Sequence, residues 1–189
     1  MTRQAFIHRM WSIARTALAV GMVGGLVGTG RADGATRVAD HAVRADTIVQ
    51  MLRFVEWSGS GPARALRVAV VGNDTLATAL RDACASLQPG GRSAHIFVVA
   101  TPRAAVEARA DVVVLGAMPT VEARLIATEL GGRGILTVGD GDCPDTPHLA
   151  LNLLAEGPRY RVAANPAAAA RAGVGLSSRL LRLAHIVGD

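Results

Sequence analysis

Apolar and polar positions change period several times along this chain, and each change marks an element. From Val38 to Trp57, Val38, Ala42, Ala45, Ile48 or Val49, Leu52 and Val55 recur at spacings of three and four. That spacing predicts an amphipathic helix. Arg37, Arg44, Asp46 and Arg53 fall largely off the apolar stripe, and Gly59, Gly61 and Pro62 supply a stop. The helical period then disappears. "ALRVAVVGND" is a continuous Val-rich run, and "AHIFVVA", "ADVVVLG" and "GILTVGD" repeat the pattern. Between these runs lie "DTLATALRDACASL", "PRAAVEA" and "PTVEARLIATELGG", which carry helical spacing and helix punctuation: Asn73 or Asp74 as N-cap, Pro119 near a first turn, Gly131 near an end. Continuous apolar strands alternating with helices are the pattern of a parallel sheet buried on both faces.

The last third reads differently. "HLALNLLAEGPRYRVAAN" holds two strand-like runs around Gly157 and Pro158, which predicts an antiparallel hairpin. "NPAAAARAG" is a short helix with Asn165 as cap, Pro166 in its first turn and Gly173 at its end. "LSSRLLRLAHIV" predicts a final amphipathic helix with Leu176, Leu180, Leu183 and Val187 on one side. The expected fold class is α/β. It is a single three-layer domain: a mostly parallel sheet of four strands plus an antiparallel C-terminal hairpin, with helices on both faces.

The N-terminus changes this picture. Arg3, Arg9 and Arg15 precede an apolar run from Thr16 to Gly30, followed by "GRADGA". A basic start, an apolar middle and a small-x-small site predict a secretory signal peptide. The run is too short and Gly-rich for a spanning helix, which needs roughly 20 apolar residues. With cleavage after Ala32, residues 1–32 are the signal peptide and 33–189 the domain. Such a segment predicts export from the cytoplasm.

Charge follows from that division. The chain has 20 basic residues, all Arg, against 15 Asp and Glu, net +5. Four of those Arg lie in residues 1–32, where there is no acid, so the exported part carries only one excess positive charge. Its Arg residues are dispersed, which argues against nucleic acid as a partner. The absence of Lys excludes Schiff-base chemistry, P-loop phosphate binding and kinase chemistry.

Three strands end in Gly and a turn, and ligands of open α/β sheets bind beyond such carboxyl ends. Asn73, Asp74, Asp140 and Asp142 are therefore the candidate lining of a small polar cleft. The plainer reading is capping and turn chemistry, which the same residue types serve. "DGDCPDTPH" gathers Asp140, Asp142, Cys143, Asp145 and His148, but its spacing matches neither a zinc pattern nor an EF-hand. Cys143 beside three Asp is a poor thiolate, and Ser177 and Ser178 lie outside any nucleophile elbow. No catalytic residue, metal or cofactor is expected. The redox-capable Cys84 and Cys143 are expected at opposite edges of the sheet, too far apart for the Cα separation of about 7 Å or less that a disulfide needs.

Aromatic residues are only 3% of the chain, yet Phe54 and Trp57 sit three positions apart before the Gly/Ser turn. Packing against the sheet and contact with a partner are both open for them. The order "QMLRFVEWSG", "LRVAVVGND", "ADVVVLG", "GILTVGD" and "RYRVAANPAAAARAGVGLSSRLLRLAHIV" resembles the YfiR family of exported bacterial proteins. The closing element, Val162 to Ala184, carries the most specific part. In it Asn165, Ala168, Ala169, Arg171, Ala172, Gly173, Ser177, Ser178, Leu180, Leu181, Leu183 and Ala184 are in register. The resemblance implies a non-enzymatic periplasmic regulator. Its partner would be an inner-membrane signalling protein, a diguanylate cyclase held inactive through its periplasmic part, with a homodimer allowed. The family's redox tuning through two intrachain disulfides does not carry over to a chain with two Cys. The alternative is a periplasmic small-ligand sensor feeding a sensor kinase or chemoreceptor.

Overall fold

The structure is a computed structural model, and it describes residues 29–57, 64–144, 147–157 and 159–188. Residues 1–28 of the expected signal peptide, the expected helix stop at Gly59–Pro62, and Asp145 lie outside the described residues. The chain divides into two compact units, Met1–Asp33 and Gly34–Asp189, and the architecture below is that of the second. No helix among the described residues is long and apolar enough to cross a membrane.

In chain order the elements are α1 (Thr29–Leu52), β1 (Val55–Trp57), β2 (Leu66–Val71), α2 (Asp74–Ser86), a 3-10 turn at Pro89–Gly91, β3 (Ala94–Val99) and α3 (Pro102–Glu107). There follow β4 (Val112–Leu115), α4 (Thr120–Gly132), β5 (Leu136–Gly139), β6 (Leu151–Glu156), β7 (Arg159–Ala164), α5 (Pro166–Arg171), β8 (Val174–Leu176), α6 (Ser178–Leu181) and β9 (His185–Ile186). Seven strands form one sheet in the order β3-β2-β4-β5-β6-β7-β9. The strands β2 to β6 pair in parallel, and β6 and β7 form the antiparallel hairpin in a six-pair register from Leu151↔Ala164 to Glu156↔Arg159. The expected fold class is therefore the one observed.

Side-chain alternation along the strands divides the interior in two. Val68, Val70, Val112, Val114, Leu136 and Val138 point to one face, where Ile48, Val49 and Leu52 of α1 and Leu76 and Leu80 of α2 cover them. Ala69, Val113 and Leu115 point to the other, beneath Ala105 of α3 and Ala123, Ala127 and Leu130 of α4. The strands between these layers are almost fully buried, which is why they read as continuous apolar runs rather than alternating ones. The predicted caps at Asn73 and Asn165 form: Asn73 Oδ1 accepts from Leu76 N and Asn165 Oδ1 from Ala168 N. Ser177 Oγ likewise accepts from Leu180 N.

Two elements differ from expectation, both where a strand at the rim needed a pairing partner. The first helix does not run to Trp57. It ends at Leu52, and Val55–Trp57 becomes β1, paired antiparallel with β8 through Val55↔Leu176, Glu56↔Gly175 and Trp57↔Val174. Val55 satisfies the helical stripe and the strand equally well, so periodicity within the segment could not separate them. The partner strand, more than 110 residues away, decides it. Likewise "LSSRLLRLAHIV" is not one helix. Helix α6 closes after one turn, and His185–Ile186 pairs with Ala163–Ala164 of β7. Leu180 is buried while Leu183 is exposed, so the four-residue stripe breaks there. The strand β9 satisfies the free edge of β7, a requirement that local periodicity does not reveal.

Candidate functional site: the carboxyl edge of the sheet

The loop after β5 sits at the carboxyl edge and is shaped by close approach. A Cβ on Gly139 would lie 1.8 Å from Asn152 Oδ1. Gly141, at φ +98°, would place a Cβ 2.7 Å from the Tyr160 ring. Glycine at both positions lets the loop fold tightly against β6 and β7. Asp140 is buried, and its Oδ1 accepts from Asp142 N (2.9 Å) and Cys143 N (3.3 Å). Burial raises the Asp140 pKa above the ordinary aspartate range. The two N–H donors and Arg44 oppose that shift, while the charge of Asp142 adds to it.

Above this loop lies a charged cluster centred on Arg44. Helix α1 carries Arg44 across the loop with its side chain only 9% exposed. Its guanidinium meets Asp40 Oδ2 at 2.6 Å, one turn earlier on the same helix, and Asp142 Oδ2 at 2.5 Å. Arg44 Nε donates to Tyr160 Oη (2.8 Å), and that hydroxyl donates onward to Asp40 Oδ1 (2.6 Å). The guanidinium also lies 5.4 Å from the centroid of the Tyr160 ring. Burial alone would lower the Arg44 pKa, but the bonds to Asp142, Asp40 and Tyr160 outweigh it and the net shift is upward. Burial and the Asp40 bond push Tyr160 up to about 12, against the lowering pull of Arg44. One cation thus ties α1, the loop after β5 and β7 together.

The four residues expected to line a cleft do not all meet. Asp140 and Asp142 share the loop after β5 and belong to the Arg44 cluster. Asn73 and Asp74 follow β2, and β4 stands between β2 and β5. Asn73 caps α2 and lies 3.5 Å from His41 Nε2, whereas Asp74 is exposed. Among the described residues no group of three or more His, Cys, Asp or Glu could hold a metal ion. Phe54 and Trp57 are half-buried and pack against the core beneath α1 and α2, and Arg179 stacks over the Phe54 ring at 5.6 Å.

The cysteines are free thiols on opposite sides of the sheet. Cys84 packs against the core beneath α1 and α2, and Cys143 lies in the core beneath α3 and α4. Burial pushes the Cys84 thiol up to about 11, and burial with the neighbouring Asp140 pushes Cys143 up to about 12. Neither is an activated thiolate at neutral pH.

Arg44, Asp40 and Tyr160 were missed by pattern reading. Arg44 falls off the apolar stripe, which ordinarily means solvent. The available signals were its i+4 spacing from Asp40 and the presence of a single Tyr in the whole chain.

A sequence model of the YfiR/HmsC-like family matches residues 41–185, nearly the whole second unit. The chain belongs to the YfiR/HmsC-like family. The matched segment takes in Arg44, the loop after β5, the hairpin and the closing "NPAAAARAGVGLSSRLLRLA" element. YfiR/HmsC-like proteins are periplasmic, non-enzymatic regulators of diguanylate cyclase signalling. The sequence matches no curated protein.

Proposed function

We propose that this chain is exported to the periplasm. There it binds the periplasmic part of an inner-membrane diguanylate cyclase and holds that cyclase inactive, lowering cyclic-di-GMP. The family match over 41–185 carries this reading. The chemistry of the carboxyl edge supports it. Arg44 engages Asp40, Asp142 and Tyr160, and Asp140 accepts from the backbone of its own loop, which is how a fold is fixed rather than how a substrate is held. A nucleophile needs an adjacent base or a lowered pKa, and both thiols are shifted upward by burial. A regulator acts through its surface, and Trp57, half-buried on the β1–β8 ribbon, remains our candidate for a partner contact alongside its packing role.

The test is recovery of the partner. The tagged exported protein, crosslinked in its own membrane fraction and purified, is expected to bring down an inner-membrane diguanylate cyclase. Recovery of a sensor kinase or chemoreceptor instead would favour the ligand-sensor alternative. Recovery of no membrane signalling protein would remove the basis for the reading.

A further inference from the structure

Helices α1 and α2 run side by side over one face of the sheet, and an open groove of about 600 Å³ lies between them. Its α2 wall runs from Asp74 to Ser86, about 18 Å at 1.5 Å per residue. The apolar part of the lining is small: Ala42, Ala79 and Ala83. Among the described residues the ionisable groups of the lining are Asp46, Asp74, Asp82 and His41, with no Arg. In a chain whose cations are all Arg, scattered over the rest of the fold, that is a local segregation of charge. The Arg ion pairs of the described residues go to other acids: Asp40, Asp142, Asp111, Glu107, Glu129 and Glu156. Burial raises the Asp46 pKa above the ordinary aspartate range.

From this groove we infer a docking site for an amphipathic helix of a partner protein, one whose narrow apolar stripe is flanked by Lys or Arg. Both walls are helices, whose backbone groups are already bonded along their length, so no strand can add to them. Alanine side chains in the lining admit a close-packed helix. The acidic rim selects the basic flanks and rejects acidic ones. The inference rests on the regulatory reading above for the identity of the partner, the periplasmic part of the membrane cyclase, but the recognition chemistry stands on the groove alone.

Two synthetic 18-residue helical peptides test it. They share one Leu/Ala stripe and differ only in Arg or Glu flanks, and fluorescence anisotropy reads their binding to the exported domain. Ala42 is exposed, so Ala42→Arg obstructs the groove without disturbing the core, and an unchanged melting temperature verifies this. The Arg-flanked peptide is expected to bind the wild type, and the Glu-flanked peptide is not. Removing two rim charges in Asp46→Asn/Asp82→Asn weakens binding about fivefold, the size expected for two exposed ion pairs. Ala42→Arg abolishes it. Equal binding of both peptides, or affinity unchanged in both variants, overturns the proposal. So does loss of self-association of the chain in Ala42→Arg, which would make a second copy the occupant. Co-purification separates the two readings. A cyclase recovered equally by the wild type and Ala42→Arg leaves the regulatory reading standing and removes the groove. A wild type that recovers no cyclase removes the regulatory reading, while the peptides still decide the groove.

Discussion

Replacing Arg44 with Ala removes a cation that joins α1 to the loop after β5 and to β7. The side chain is 9% exposed and makes close polar contacts to Asp40, Asp142 and Tyr160. Breaking a fully buried ion pair costs roughly 3–5 kcal/mol, because the remaining charge is stranded. Here the stranded carboxylates are Asp40, 36% exposed, and Asp142, 49% exposed, so water recovers part of the loss. The Tyr160–Asp40 bond also survives the substitution. The expected destabilisation is therefore about 2–3 kcal/mol, below the fully buried range. For a domain of this size that corresponds to a fall in Tm of roughly 5–10 °C. Urea unfolding of the exported domain, with Arg44→Ala beside Arg44→Met, measures it. Arg44→Met separates the charge from the packing of the aliphatic stem. A loss under about 0.5 kcal/mol for Arg44→Ala, the scale of an exposed pair, would refute the reasoning and leave α1 held by its apolar stripe alone.

Gly139→Ala is expected to destabilise by about 1–3 kcal/mol or more through overpacking, since the new Cβ would lie 1.8 Å from Asn152 Oδ1. Gly139→Ala/Asn152→Ala should regain most of that, and a double-mutant cycle in urea without positive coupling would contradict the assigned clash. Asp140, with its pKa raised in the fold, binds its proton more tightly folded than unfolded, so its contribution to stability falls as pH rises through the window from about 3.9 upward. Asp140→Asn keeps an oxygen for Asp142 N and Cys143 N, and the slope of stability against pH between 4 and the raised value should shrink, measured by urea midpoints at stepped pH. An unaltered slope would mean that burial does not govern this carboxyl. Trp57→Ala is expected to cost about 2 kcal/mol, below the range for a fully buried aromatic, because Trp57 is half-buried against the core. Repression lost with melting unchanged would assign Trp57 to the partner contact instead.

How much was legible in the sequence depended on whether a signal was local. The four parallel strands were readable because burial on both faces leaves an uninterrupted Val-rich run, and local cap signals mark helix starts at Asn73 between the strands and at Asn165 after the hairpin. The hairpin was readable from Gly157 and its flanking runs. The β1–β8 ribbon and β9 were not, because Val55–Trp57 and His185–Ile186 become strands only when a distant edge is offered to them. The candidate site divided along the same line. Asp140 and Asp142 were found because a Gly-rich turn after a strand is a local signature. The cation that engages Asp142 lies almost 100 residues earlier on a helix, off the apolar stripe, and only the tertiary fold brings Arg44 and Tyr160 to that loop. The groove between α1 and α2 is a third case. Its acids read as ordinary solvated helix positions, and their grouping without Arg is visible only when the two helices lie side by side.

The central claim, that the chain restrains a diguanylate cyclase, is tested most directly by cyclic-di-GMP itself. The nucleotide is quantified by mass spectrometry in the source bacterium, in a strain lacking this protein, and in that strain supplied with the exported wild type. The account predicts a rise on deletion and a return to the starting level on complementation. A level unchanged by deletion, or lowered by it, would contradict the account.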